Sequence, residues 1–130
     1  MAQTKGLRTE LGRVRGLGSA KEGVSHWWMQ RLTALALVPL SLWFVASLVF
    51  LTDTDYATAK LWLKSPVTLG LMALFIAALF YHAVLGVQVV IEDYVSRHGL
   101  RTASIVLVQF AGFVLAVAAI VSLLVIAFGG

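Results

Sequence analysis

Ser65–Ile91, SPVTLGLMALFIAALFYHAVLGVQVVI, holds no acidic residue, no lysine and no arginine, and it runs directly into Glu92-Asp93-Tyr94. A run of this length exceeds the roughly 20 apolar residues that an α-helix needs to cross about 30 Å of hydrocarbon. Two more charge-free runs accompany it, Leu32 to Phe50 with its flanks and Thr102 to Gly130. Hydrophobic residues make up 60% of the 130-residue chain, charged residues only 12%, and the mean hydropathy is +0.92. That leaves too little polar surface to cover a water-soluble domain. Period-2 alternation is absent, which argues against a transmembrane barrel, and lipid demands that backbone polar groups be paired within the segment. The fold class is an all-α membrane protein with three transmembrane helices.

The spans are expected at about 27–51, 66–91 and 103–128. They divide the chain into a basic amino-terminal arm, residues 1–26, and a three-helix membrane domain, residues 27–130. Gly6, Gly12, Gly16, Gly18 and Gly23 each weaken a helix by about 1 kcal/mol relative to alanine, so the arm reads as extended or loosely ordered. Trp27 and Trp28 suit the membrane interface at the entry of span one. Pro39 inside that span removes one backbone donor, and a bend is expected there. Residues 52–65, with Asp53, Asp55, Lys60 and Lys64, read as a short polar loop, and Pro66 suits the first turn of span two. Gly70, Ala73, Ala77 and Ala78 in span two, and Ala111, Gly112, Ala116 and Ala119 in span three, offer small surfaces for close helix approach. Three helices enclose a cofactor poorly, so a larger helical bundle with a second membrane subunit is expected.

Several function classes fall away. The absence of cysteine excludes disulfides, thiolate zinc sites and cysteine-ligated iron–sulfur clusters within the chain. The arm lacks the short apolar core and cleavage site of a signal peptide. Gly16-Leu17-Gly18-Ser19-Ala20-Lys21 has neither a third glycine nor a preceding strand, so it is no nucleotide-binding loop. The net charge of +4 comes largely from Lys5, Arg8, Arg13, Arg15, Lys21 and Arg31. Membrane topology explains this basic cluster more simply than nucleic-acid binding does, and no nucleic-acid partner is expected.

His82 is the first functional candidate, because a histidine deep in an apolar span needs a buried partner. On a helix, His82, Gly86, Val89 and Asp93 share one face, with His82 and Asp93 about 16 Å apart along the axis. Glycine four residues after histidine leaves room for a flat macrocycle, and neutral imidazole is an axial ligand of haem iron. Spacing alone favours a histidine that merely hydrogen-bonds another helix. Arg31 stands at the mouth of span one, where its guanidinium suits haem propionates, quinone oxygens or lipid phosphate. Tyr94 can donate to a quinone carbonyl with Asp93 in support, or can simply belong to an interfacial aromatic belt. Gln30, Gln88 and Gln109 read as helix-joining hydrogen-bonding residues.

Two stretches, Ser25-His26-Trp27-Trp28-Met29-Gln30-Arg31-Leu32-Thr33-Ala34 with Pro39-Leu40, and His82-Ala83-Val84-Leu85-Gly86 continuing to Glu92-Asp93-Tyr94, resemble the small hydrophobic anchor of bacterial succinate dehydrogenase. The resemblance covers nearly the whole membrane region. It implies a membrane anchor subunit of a respiratory-chain and tricarboxylic-acid-cycle enzyme, which is not catalytic alone. It further implies a second membrane anchor subunit that shares haem b, with ubiquinone bound near the cytoplasmic face. Flavin and iron–sulfur clusters are implied only on a flavoprotein subunit and an iron–sulfur subunit, which pass electrons from succinate to ubiquinone. Carried over by position, His82 resembles one axial ligand of the haem iron and Arg31 the arginine near its propionates. Tyr94 resembles the quinone-binding tyrosine, with Asp93 beside it. The surroundings of His26 match less well and no role is assigned to it.

A cofactor-free scaffold or assembly subunit of another respiratory complex is the competing class, but it leaves His82, Asp93 and Tyr94 without a shared purpose. A small transporter would be expected to carry charged or broken helices at membrane depth. The arm with Arg31 holds six basic residues and the second loop two more, Arg97 and Arg101, against two in the first loop, Lys60 and Lys64. The positive-inside rule then places the amino terminus in the cytoplasm of a multi-pass protein of the bacterial inner membrane, beside membrane lipid, with the carboxyl terminus across it. Single-cysteine labelling at Ser19 and Gly129 checks this: a membrane-impermeant reagent should reach only Ser19 from the cytoplasmic side, and equal access would reject the topology.

Overall fold

The computed structural model describes residues 9–14, 16 and 21–129, and all regular structure among them is helical. The helices are α1 (Glu10–Val14), α2 (Lys21–Leu51), α3 (Tyr56–Lys64), α4 (Pro66–Tyr94) and α5 (His98–Phe128). Three of them, over Gly23–Leu51, Pro66–Tyr94 and His98–Phe128, are long and apolar enough to span a bilayer. The all-helical, three-span architecture is thus as the sequence implies.

Element boundaries differ from the sequence reading in instructive ways. Helix α2 begins at Lys21, inside the stretch read as an arm, and passes through Gly23. Extending an existing helix adds one hydrogen bond per residue without a new nucleation cost, which outweighs a single glycine. The helix is also continuous through Pro39. The polar segment 52–65 is not all loop, because Tyr56–Lys64 coils into α3. Asp55 caps its amino end by accepting from the Thr58 amide at 3.0 Å. Hydrogen bonds from the Thr58 side chain and amide hold the Asp55 carboxyl below the usual carboxylate range. At the other loop, α4 runs on to Tyr94 and α5 starts at His98, so only Val95–Arg97 connect them. The guanidinium of Arg101 donates through Nε to the Val95 carbonyl at 3.0 Å, tying the turn to the start of α5.

Helix α4 is central, packing against α2 on one side and α5 on the other. Phe44 of α2 stacks on Phe75 of α4 with centroids 5.0 Å apart. At the α4–α5 contact Gly112 is buried, and a Cβ built on it would run into the Val84 side chain. The Val84 side chain therefore packs directly onto α5 at a position that only a hydrogen side chain leaves open. Helix α3 lies across the end of the bundle against α4 and α5. Trp62 stacks on Trp43 with centroids 6.0 Å apart, and Lys60 Nζ donates to the Gly129 carbonyl at 2.9 Å.

Gly112→Val should cost about 1–3 kcal/mol through overpacking against Val84, a side chain whose χ1 a helix restricts. Gly70→Ala is the control: nothing lies within 4 Å of its Cβ position. It should be neutral or gain up to about 1 kcal/mol of helix propensity. Thermal unfolding of the two variants in mild detergent checks the pair, and equal Tm values would refute the close contact.

Candidate functional site

The site at the α2–α4 seam grows from helical spacing. His26, Gln30 and Thr33 recur at intervals of four and three, which puts them on one face of α2. His82 and Gly86, four apart on α4, lie opposite. Thr33 Oγ1 is 3.0 Å from His82 Nδ1. The same hydroxyl lies 2.7 Å from the Met29 carbonyl oxygen and 3.2 Å from that of Gln30. A hydroxyl carries one proton and two lone pairs. Donation to the Met29 carbonyl, the shorter contact, leaves the oxygen to accept from His82 Nδ1–H. In that tautomer the ring lone pair lies on Nε2, which makes no hydrogen bond among the described residues.

Gly86 contributes space at the seam. Its nearest non-local neighbour from a built Cβ is Gln30 Nε2 at 3.9 Å. Above Thr33, Gln30 Oε1 and His26 Nε2 are both buried without a hydrogen-bond partner. Unpaired buried polar atoms are costly and point to a further polar group at this seam. Sequence reasoning set His26 and Gln30 aside and did not single out Thr33. The signal that would have found them is their common spacing on α2, opposite an intramembrane histidine.

The other candidates stand apart from His82. Arg31 is two residues from Thr33, about 200° round α2, and is exposed with its guanidinium 5.4 Å from the Trp27 ring centroid. This cation–π contact fixes the arginine at the amino-terminal mouth of the span. Asp93 and Tyr94 occupy the last turn of α4, where both are exposed, Tyr94 at 84%. Neither side chain makes a hydrogen bond among the described residues, and both are open to another molecule. Among those residues no three His, Cys, Asp or Glu side chains cluster to hold a metal ion. A metal ligated at His82 would therefore draw further ligands from elsewhere.

The opposite side of α4 carries a groove of about 480 Å³ shared with α5. It is lined by Tyr81, Val84, Gln88, Gln109, Gly112 and Phe113 among others, and does not include His82. Gln109 Nε2 donates to Gln88 Oε1 at 3.3 Å, and Gln88 Nε2 donates to Glu92 Oε1 at 3.1 Å. Gln88 and Gln109 thus join α4 to α5, as helix-joining glutamines are expected to.

Residues 5–127 match the family model described as succinate dehydrogenase/fumarate reductase transmembrane subunit. The chain belongs to this family. It is 37% identical over 118 residues to the succinate dehydrogenase hydrophobic membrane anchor subunit of Rickettsia conorii, covering 90% of this chain and 94% of that one. The corresponding subunit of Rickettsia bellii is 38% identical over 119 residues, covering 92% and 95%. That of Paracoccus denitrificans is 28% identical over 110 residues, covering 85% and 84%. No solved structure matches the chain. With its family and three spans together, this is a multi-pass membrane anchor of the succinate dehydrogenase type.

Proposed function

We propose that this family member anchors succinate dehydrogenase in the bacterial inner membrane, supplies one axial ligand of haem b through His82, and lends Tyr94 and Asp93 to the ubiquinone site. The observation that carries the reading is the setting of His82. Thr33 occupies Nδ1, Nε2 keeps its lone pair, and Gly86 opens space one turn on. Neutral imidazole in that tautomer is what a haem iron takes, and the unpaired His26 Nε2 and Gln30 Oε1 suit a polar group at the same seam. When bound, the haem supplies a one-electron centre within the membrane. A further ligand to the iron would come from the second anchor subunit.

Around that centre the chain's own residues have separate tasks. The Tyr94 hydroxyl, exposed at the end of α4, donates to a quinone carbonyl, and Asp93 beside it supports the site electrostatically. Arg31, exposed and over Trp27 on another face of α2, would supply a guanidinium for the haem propionates. The basic arm faces the cytoplasm in this reading, as does the Tyr94 end of α4. There the iron–sulfur and flavoprotein subunits would dock and deliver electrons taken from succinate.

His82→Ala in the assembled complex should abolish or strongly alter the low-spin haem spectrum while the anchor stays inserted. An unchanged spectrum and haem content would defeat the ligand assignment, and a wild-type complex without haem would favour a cofactor-free scaffold.

Tyr94→Phe keeps the ring and deletes the donor, so a loss of about 0.5–1.5 kcal/mol, roughly two- to tenfold in quinone-dependent kcat/KM, is expected. Succinate oxidation by an artificial acceptor upstream of quinone should stay near wild type. Equal loss of both activities would make Tyr94 an assembly residue, and no loss of either would remove it from the quinone site.

A further inference from the structure

We infer that Thr33 is a positioning residue for His82: its hydroxyl fixes the imidazole as the Nδ1–H tautomer and strengthens Nε2 as a donor to iron. The inference rests on His82 being a haem ligand, as proposed above. A threonine inside a helix can donate to the carbonyl four residues back with no tertiary consequence, so the 2.7 Å contact to Met29 says little by itself. The informative contact is the second one, 3.0 Å to a ring nitrogen 49 residues away on another helix. Thr33 is only 8% exposed, so its hydroxyl is largely removed from competition by solvent.

The order of the three groups gives the chain its direction. The Met29 carbonyl accepts the Thr33 proton, and the Thr33 oxygen accepts the Nδ1 proton. Hydrogen bonds in series polarise one another, most of all where water is scarce. Electron density is thereby pushed toward the ring. A hydrogen bond at one ring nitrogen decides which nitrogen binds a metal and raises the basicity of the ligating one. A more basic ligand favours oxidised iron over reduced iron, so Thr33 should hold the haem midpoint potential down. It also makes the ligand's orientation depend on α2–α4 packing, because ring and acceptor stand on different helices.

The test compares Thr33→Val, which keeps the shape and deletes the hydroxyl, with Thr33→Ser, which keeps the hydroxyl, both in the assembled complex. Thr33→Val should raise the haem midpoint potential, shift the low-spin electron paramagnetic resonance g values, and weaken haem retention on the order of tenfold or more. Thr33→Ser should restore the wild-type potential and g values. Wild-type values in Thr33→Val would overturn the inference. So would equal shifts in both variants, which would assign the effect to packing of the methyl group. Failure of Thr33→Val to assemble, with Thr33→Ser also off the wild-type potential, would overturn it too, whereas a wild-type Thr33→Ser there would support the hydroxyl's role. His82→Ala with an unchanged haem spectrum would locate the failure in the ligand assignment itself, and this inference would fall with it.

Discussion

In hydrocarbon an unpaired peptide group costs several kcal/mol, and no water is present to relieve it. That constraint turns each long apolar run of this chain into a continuous helix and carries α2 through Pro39 and Gly23 without interruption. It also concentrates the irregular backbone at the two ends of the bundle. There, Asp55 caps α3, and Arg101 covers the carbonyl groups of the turn between α4 and α5. Once the helices exist, their association rests on local fit, since lipid tails are as apolar as leucine. The Gly112–Val84 contact and the Phe44–Phe75 stack are the visible forms of that fit.

The buried apolar core among the described residues is small, comprising Leu40, Leu85, Leu123 and Ala127. Large apolar side chains such as Leu35, Leu42, Phe110 and Phe113 lie exposed along the spans. In water such a surface would drive aggregation; against lipid tails or the helices of another subunit it is ordinary. A three-helix layer centred on α4 has open faces on either side, and the α2–α4 seam holds His82 near one of them. The geometry agrees with an anchor that completes its site only in company.

At that seam the polar groups form a graded series. Thr33 Oγ1 and His82 Nδ1 satisfy each other, while Gln30 Oε1 and His26 Nε2 are buried and unpaired. A satisfied pair orients a ring, and an unsatisfied one marks where another polar group belongs. Tyr94 and Asp93, about 18 and 16 Å along α4 from His82, are exposed at the helix end instead. His82 and the Asp93–Tyr94 pair thus occupy different depths of one continuous helix.

Charge-free length and composition alone determined the all-helical class and the three spans, because in lipid those properties leave the backbone few alternatives. The motif residues His82, Gly86, Asp93 and Tyr94 were legible for the same reason: they lie on one helix, where sequence spacing is spatial spacing. The helix in residues 56–64 was hidden, since its stability comes from a cap at Asp55 and from Trp62 stacking on a residue of another helix. Only the tertiary structure paired Thr33 with His82 and set Gly86 against Gln30. Those relations depend on the rotation and register of α2 against α4, which are decided by side-chain packing between segments far apart in the chain, and no periodicity within either segment encodes them.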